Sequence, residues 1–183
     1  QVNTHDKIIA SYHDPLNANN VPQDQFTSAY YKVILMSDTL SSNTTLEKQD
    51  SPFIVTGDIF VPAGITLTIE PGVEMQVLKK TDDQNSGDDI SLSELRIAGI
   101  LRAEGTTTDS INFTVLSEDP KKEDWYGIRA LYQSGSNRVF LKYCNFAYSK
   151  YGIHFSGNTN NDHTDTISVK NTQFSSVGTG LTN

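Results

Sequence analysis

From Gly57 onward the apolar residues fall in short alternating runs, with Ile65, Leu67 and Ile69 in one, Ile111 and Phe113 in another, and Val139 and Leu141 in a third. Side chains of an extended strand alternate between its faces, so a period of two marks strands that bury one side. Gly and Asn punctuate these runs, and no ten-residue stretch has helical period, which predicts an all-β chain. The first 56 residues differ, because none of the twelve glycines lies there and Pro15, Pro22 and Pro52 stand in polar surroundings. Gln1 to Gln25 is polar apart from Ile8-Ile9-Ala10, whereas Phe26 to Leu40 is denser and predicts a strand or cap element. Two regions follow: an N-terminal tail, cap and strand-exchange segment at 1–50, and a strand-rich domain at 51–183.

The runs also repeat. Val139-Phe-Leu-Lys-Tyr-Cys-Asn-Phe146 overlays Ile167-Ser-Val-Lys-Asn-Thr-Gln-Phe174, and the same offset backwards sets Ile111 and Phe113 on Val139 and Leu141. Tyr126-Gly-Ile-Arg129 overlays Tyr151-Gly-Ile-His154, and Gly180-Leu181 follows Phe174 as Gly152-Ile153 follows Phe146. Upstream, the segment Phe53 to Gly64 overlays Leu95 to Gly105, with Gly57 on Gly99, at a longer offset that returns to the common period once an acidic insert, roughly Lys79 to Ser93, is set aside. A unit of ~22–28 residues built of short strands cannot bury its apolar face alone and must stack on its neighbours. The prediction is a parallel β-solenoid of four to five coils. Its long core would hold Ile65, Leu67, Ile69, Ile97, Leu101, Ile111, Phe113, Ile128, Val139, Leu141, Ile153, Ile167 and Val169.

The order of motifs is specific. Val61-Pro-Ala-Gly-Ile-Thr-Leu-Thr-Ile-Glu-Pro-Gly-Val-Glu-Met75, then Leu95 to Thr106, then Ile111-Asn-Phe-Thr114 and Trp125-Tyr-Gly-Ile128 resemble the opening coils of right-handed parallel β-helix surface proteins of the pectate-lyase-like superfamily. The resemblance spans about residues 53–183 and implies a right-handed parallel β-helix, and the non-repeat N-terminal tail or cap lies outside it. About activity it is nearly silent, since that scaffold carries lyases, hydrolases, adhesins and structural modules.

Composition narrows the chemistry. With 14 Lys plus Arg against 22 Asp plus Glu, the net charge is −8 and no basic run occurs, so nucleic acid is not an expected partner. The longest aliphatic run, Val33 to Met36, is far below the ~18 residues of a membrane span. The chain starts at Gln1 without a basic opening or apolar leader, which is the pattern of a mature secreted or cell-surface protein. Cys144, the single cysteine, sits in an apolar strand pattern as core filler. Asn43-Thr44-Thr45 and Asn112-Phe113-Thr114 are glycosylation sequons.

Polysaccharide lyases and hydrolases need carboxylates gathered on one outer face, and the sequence brings no such cluster or catalytic set together. In the stacked register Arg129 and His154 share an outward column and Tyr126 and Tyr151 another, a stripe that could grip a sugar. The four histidines lack metal-type spacing. The insert from Thr81 to Asp89 supplies Asp82, Asp83, Asp88 and Asp89 around a glycine, making Ca²⁺ the one candidate cofactor, although Gln84 and Ser86 depart from the calcium-loop pattern.

These features favour a non-catalytic extracellular structural or adhesive protein. An open solenoid leaves unpaired strand edges, and the Gln1–Gln25 tail, through Ile8 and Ile9, could add a strand to a neighbouring copy and build a filament or surface-layer assembly. The alternative is a carbohydrate-binding or polysaccharide-degrading β-helix module.

Overall fold

The computed structural model describes residues 34–132, 138–157 and 166–182, and the Ile8 and Ile9 patch lies outside them. In chain order the strands are β1 (Ile34–Thr39), β2 (Thr44–Leu46), β3 (Phe53–Val61), β4 (Thr66–Ile69), β5 (Glu74–Leu78), β6 (Glu94–Ile97), β7 (Ile100–Glu104) and β8 (Ile111–Leu116). They continue as β9 (Gly127–Tyr132), β10 (Arg138–Lys142), β11 (Cys144–Ala147), β12 (Tyr151–Gly157), β13 (Thr166–Lys170), β14 (Gln173–Ser175) and β15 (Thr179–Thr182).

Three parallel walls result. The first stacks the opening of β3 with β5, β8, β11 and β14, and the second stacks the end of β3 with β6, β9, β12 and β15. The third stacks β2, β4, β7, β10 and β13. The chain therefore visits each wall once per coil, as a right-handed parallel β-helix. Pairing begins upstream of residue 51, because β1 runs beside β3 along both walls and β2 pairs with β4.

Alternation explains the core. On the first wall Met75, Phe113, Phe146 and Phe174 follow Phe53 in one inward column. Its rings stack at 4.4 Å between Phe113 and Phe146 and 5.2 Å between Phe146 and Phe174. Ile59, Leu95, Ile128, Ile153 and Leu181 form the second wall's column, and Leu67, Leu101, Val139 and Ile167 one of the third wall's. Fully burying such a side chain is worth ~1.5–3 kcal/mol, so the columns hold the coils together. Of the expected core, Ile65, Ile167 and Val169 are only partly buried and the rest are buried. Cys144 is also buried, and burial pushes its thiol up to about 12. It is inert filler on that account.

Corners repeat as well. Between the first and second walls the turns pass through the positive-φ residues Lys80, Glu123, Tyr148 and Ser176. Lys80 N–H donates to the Asp124 carbonyl, and Asp124 N–H to that of Tyr148. A left-handed residue costs ~1–2 kcal/mol outside glycine, and these coil-to-coil bonds offset it.

Two expected overlays are corrected. Ile111 and Phe113 stack on Cys144 and Phe146, not on Val139 and Leu141, because β8 belongs to the first wall and β10 to the third. Similarly Leu95 stacks on Ile59, not on Phe53. Alternation identifies strands, but every wall shares the same period of two, so it cannot tell one wall from another.

Candidate functional site

The acidic insert leaves the first wall after Leu78, lies over the second wall and re-enters it at Glu94. Asp82, buried, accepts the N–H groups of Asp58 and Gln84 at 3.2 Å and of Ser86 at 2.7 Å. The Thr56 hydroxyl donates to Asp83 and that of Ser86 to Asp58 Oδ2, both at 2.7 Å. Glu94 Oε1 accepts the N–H of Asp88 and, at 3.2 Å, of Asp89. Gly87 sits where this loop presses on the wall, at φ 79°, and a Cβ there would lie 2.5 Å from Glu94 Oε1 and 2.9 Å from Asp58 Oδ2. Only glycine fits that position without displacing a carboxylate.

Asp58 and Glu94 are thus sealed beneath the loop, 3% and 1% exposed. Glu94 N–H donates to Asp58 Oδ1 at 2.9 Å. Their counter-charges come from the next outward column, in which Phe60, Arg96, Arg129 and His154 stack in register. Arg96 Nη1 lies 3.5 Å from Asp58 Oδ2. Arg129 reaches Glu94 Oε2 at 3.3 Å, Asp88 Oδ1 at 3.4 Å and the Ser156 hydroxyl at 2.9 Å. Burial raises the pKa of both Asp58 and Glu94, and the hydrogen bonds and arginines oppose that rise only in part.

At the rim the Tyr126 hydroxyl donates to Asp88 Oδ2 at 2.8 Å and also touches His154 Nδ1. A phenol has one proton to give, and the carboxylate is the stronger acceptor, so the network assigns the Nδ1–H tautomer to His154. Burial and the bond to Asp88 raise the Tyr126 pKa, while burial lowers that of His154. Tyr151 packs 5.1 Å from the Tyr126 ring and 4.8 Å from the His154 ring. Lys150 Nζ pairs with Asp89 at 3.0 Å and stands 5.8 Å from the Tyr151 ring centroid.

Comparison with known families settles what the scaffold is: residues 38–177 match the pectate-lyase-like β-helix domain. The chain belongs to that family. No curated protein and no solved structure matches it significantly. No helix among the described residues is long and apolar enough to cross a membrane.

On this pectate-lyase-like β-helix the sequence-predicted residues are distributed as follows. Tyr126, Arg129, Tyr151 and His154 come together on the second wall, but Tyr126 is fully buried and Arg129 is committed to Glu94 and Asp88. Tyr151 and His154 are half-buried, with Lys150 beside them. Asp82, Asp83, Asp88 and Asp89 are turned toward separate donors: backbone amides, Thr56, Tyr126 with Arg129, and Lys150. No group of three or more His, Cys, Asp or Glu among the described residues is arranged to hold a metal ion. The expectation that no carboxylates gather on one face is corrected, since Asp58, Asp82, Asp88 and Glu94 do so. Asp58, Glu94 and Arg96 were missed because the corrected register of β3 and β6 is what brings Asp58 beside Glu94. A carboxylate directly before Ile59 and another directly before Leu95 are the signal that register would have exposed.

Proposed function

We propose that this pectate-lyase-like β-helix is a non-catalytic structural or adhesive module, secreted or cell-surface in location, that joins its neighbours end to end. One observation carries the reading: the carboxylates gathered on the second wall bind the insert and the wall's own arginines. A polysaccharide lyase or hydrolase requires an acid, base or nucleophile open to its substrate. Asp58 and Glu94 are sealed instead, and Asp88 and Asp89 are held by Tyr126, Arg129 and Lys150. The end of any solenoid stack is a row of strand edges. Such an edge accepts another strand, whichever chain supplies it. The reading assigns that strand to the Gln1–Gln25 segment with Ile8 and Ile9 as its apolar anchors.

The test pairs turnover with assembly. Incubation with uronate-containing and neutral polysaccharides should release neither unsaturated products nor reducing ends. Light scattering and negative-stain images should show end-to-end assemblies that removal of residues 1–25 abolishes. Turnover that Glu94→Gln eliminates would replace this reading with an enzymatic one.

A second reading has its own observation, the half-buried Tyr151 and His154 rings 4.8 Å apart beside Lys150. Rings of this kind pack on the C–H faces of sugars while a cation and an imidazole bind hydroxyls. Calorimetric titration with oligosaccharides, repeated on Tyr151→Ala, decides it: binding lost in the variant supports a glycan-binding face, and no binding by the native chain removes it.

A further inference from the structure

The outer face of the third wall carries a charge order unrelated to the insert. Its outward residues fall in columns set by the strand register. One reads Thr45, Thr68, Arg102, Phe140 and Ser168, and beside it Thr66, Ile100, Arg138 and Thr166 align. On the other side Glu104, Lys142 and Lys170 align, and Glu70 and Glu47, following Ile69 and Leu46, extend that column to the first coils. Along the axis this last column therefore runs Glu47, Glu70, Glu104, Lys142, Lys170. Acid occupies one end and base the other, and Arg138 adds a further exposed cation to the basic half.

The middle of the face is different. Arg102 lies over the Phe140 ring, 4.6 Å from its centroid, and its guanidinium is 3.6 Å from Glu104. Ile100 and Phe140 are half-buried and give this centre an apolar floor. Lys48, the cation nearest the acidic end, is bound to Asp109. An apolar centre flanked by charge is the usual anatomy of a protein–protein contact.

We propose that this face pairs side by side with the same face of a second copy, the two solenoid axes running antiparallel about a twofold axis. Charge complementarity selects the occupant and its direction. In the antiparallel arrangement Glu47 faces Lys170 of the partner subunit and Glu70 faces Lys142 of the partner subunit, while Glu104, at the centre of the column, meets Glu104 of the partner subunit with Arg102 3.6 Å away to offset the repulsion. A parallel arrangement would set Glu47 on its own copy and Lys170 on its own copy, which is repulsive. An isologous contact of this sort closes as a dimer and does not propagate, so it is separate from end-to-end joining through the N-terminal segment.

Size sets the strength. Coils are spaced by ~4.8 Å, so Glu47 and Lys170 stand ~19 Å apart, and five strand residues extend ~17 Å. The resulting patch of roughly 300 Å² is well below the ~800 Å² per partner of a stable complex. The dimer is accordingly weak, dependent on concentration and dissociated by salt, since surface charge is screened within ~8 Å at physiological ionic strength.

Sedimentation equilibrium of the full chain at submillimolar concentration reads this directly, in low salt and in about 0.5 M salt. Three samples suffice: the native chain, Lys142→Glu with Lys170→Glu, and Glu47→Lys with Glu70→Lys. Circular dichroism confirms that each variant keeps its strands. The native chain should dimerise in low salt and dissociate in high salt. Each variant alone should stay monomeric, and an equimolar mixture of the two should pair more tightly than the native chain. A native chain that is monomeric in low salt overturns the proposal. So does association that both variants retain, and if that association is lost on removing residues 1–25 it belongs to end-to-end joining.

Discussion

Arg129 Nη1 lies 3.3 Å from Glu94 Oε2, so two residues 35 positions apart in the chain form one ion pair on the second wall. The glutamate side chain is fully buried and the arginine 14% exposed. Much of the Coulombic gain in such a pair is consumed by desolvation, but removing one partner strands the other charge.

Arg129→Met should therefore destabilise the protein by ~3–5 kcal/mol, read as a fall in the urea midpoint. Adding Glu94→Gln should recover a large part of that loss, because the stranded charge disappears. Equal stability of the single and double variants would mean that Glu94 is protonated in the native state and that Arg129 acts through Asp88 and Ser156.

The aromatic column makes a graded prediction. Phe146 is fully buried between Phe113 and Phe174, whereas Phe174 is half-buried in the last described coil. Phe146→Ala should cost ~3–5 kcal/mol and Phe174→Ala distinctly less. Ile153→Asp, which places a charge at a fully buried position between Ile128 and Leu181, should unfold the final coils. Chemical denaturation of the three variants gives the order, and equal costs for Phe146 and Phe174 would count against a continuous stack.

Much of the solenoid was legible because its core is written in a period of two. The repeat of Tyr126-Gly-Ile-Arg129 in Tyr151-Gly-Ile-His154 carries the register of the second wall, where Ile153 stacks on Ile128 and His154 on Arg129. The limits of the insert were legible too, since β5 ends at Leu78 and β6 starts at Glu94. What alternation cannot encode is the wall to which a strand belongs, and for that reason the repeat offset sets Ile111 on Val139 where the structure sets it on Cys144. The same slip hid the site: with Phe53 set on Leu95, Asp58 falls nowhere near Glu94. The coil made by β1 and β2 is legible only in part: Phe26 to Leu40 reads as a strand or cap element, but with no glycine to mark its turns nothing in the stretch shows that it stacks on the later coils.

Calcium binding by the insert has a direct test. Asp82 accepts three backbone amides, Asp89 holds Lys150 and Ser91, and Asp88 is shared by Tyr126 and Arg129. Gathering these side chains around a cation would break those bonds. The melting temperature should therefore be indifferent to millimolar Ca²⁺ and to chelator. A rise with Ca²⁺ that Asp82→Asn abolishes would show that the loop rearranges around the ion, because a ligand bound only by the native state stabilises it by mass action.

The pH dependence of stability separates the buried carboxylates from the rim. Burial raises the pKa of Asp58 and Glu94 above their ordinary values of 3.8 and 4.5, so the native state binds those protons more tightly than the unfolded chain. The stability they contribute is full below the ordinary values and is lost as pH rises through the raised ones. His154 behaves in the opposite sense. Burial lowers its pKa below 6.5, so its contribution is present above that value and lost as pH falls through the depressed one. Asp89, lowered first by the Ser91 hydroxyl and then by Lys150, likewise loses its contribution on acidification, but from 3.8 downward. In thermal unfolding between about pH 4 and pH 8, Asp58→Asn with Glu94→Gln should remove the decline that the two carboxylates impose from 4.5 upward. His154→Gln should remove the separate loss that sets in below 6.5. If the carboxylate variant and the native chain give parallel curves, Asp58 and Glu94 keep one charge state across that range. Their negative charge, held by Arg96 and Arg129, is then a constant part of what fixes the insert to the second wall.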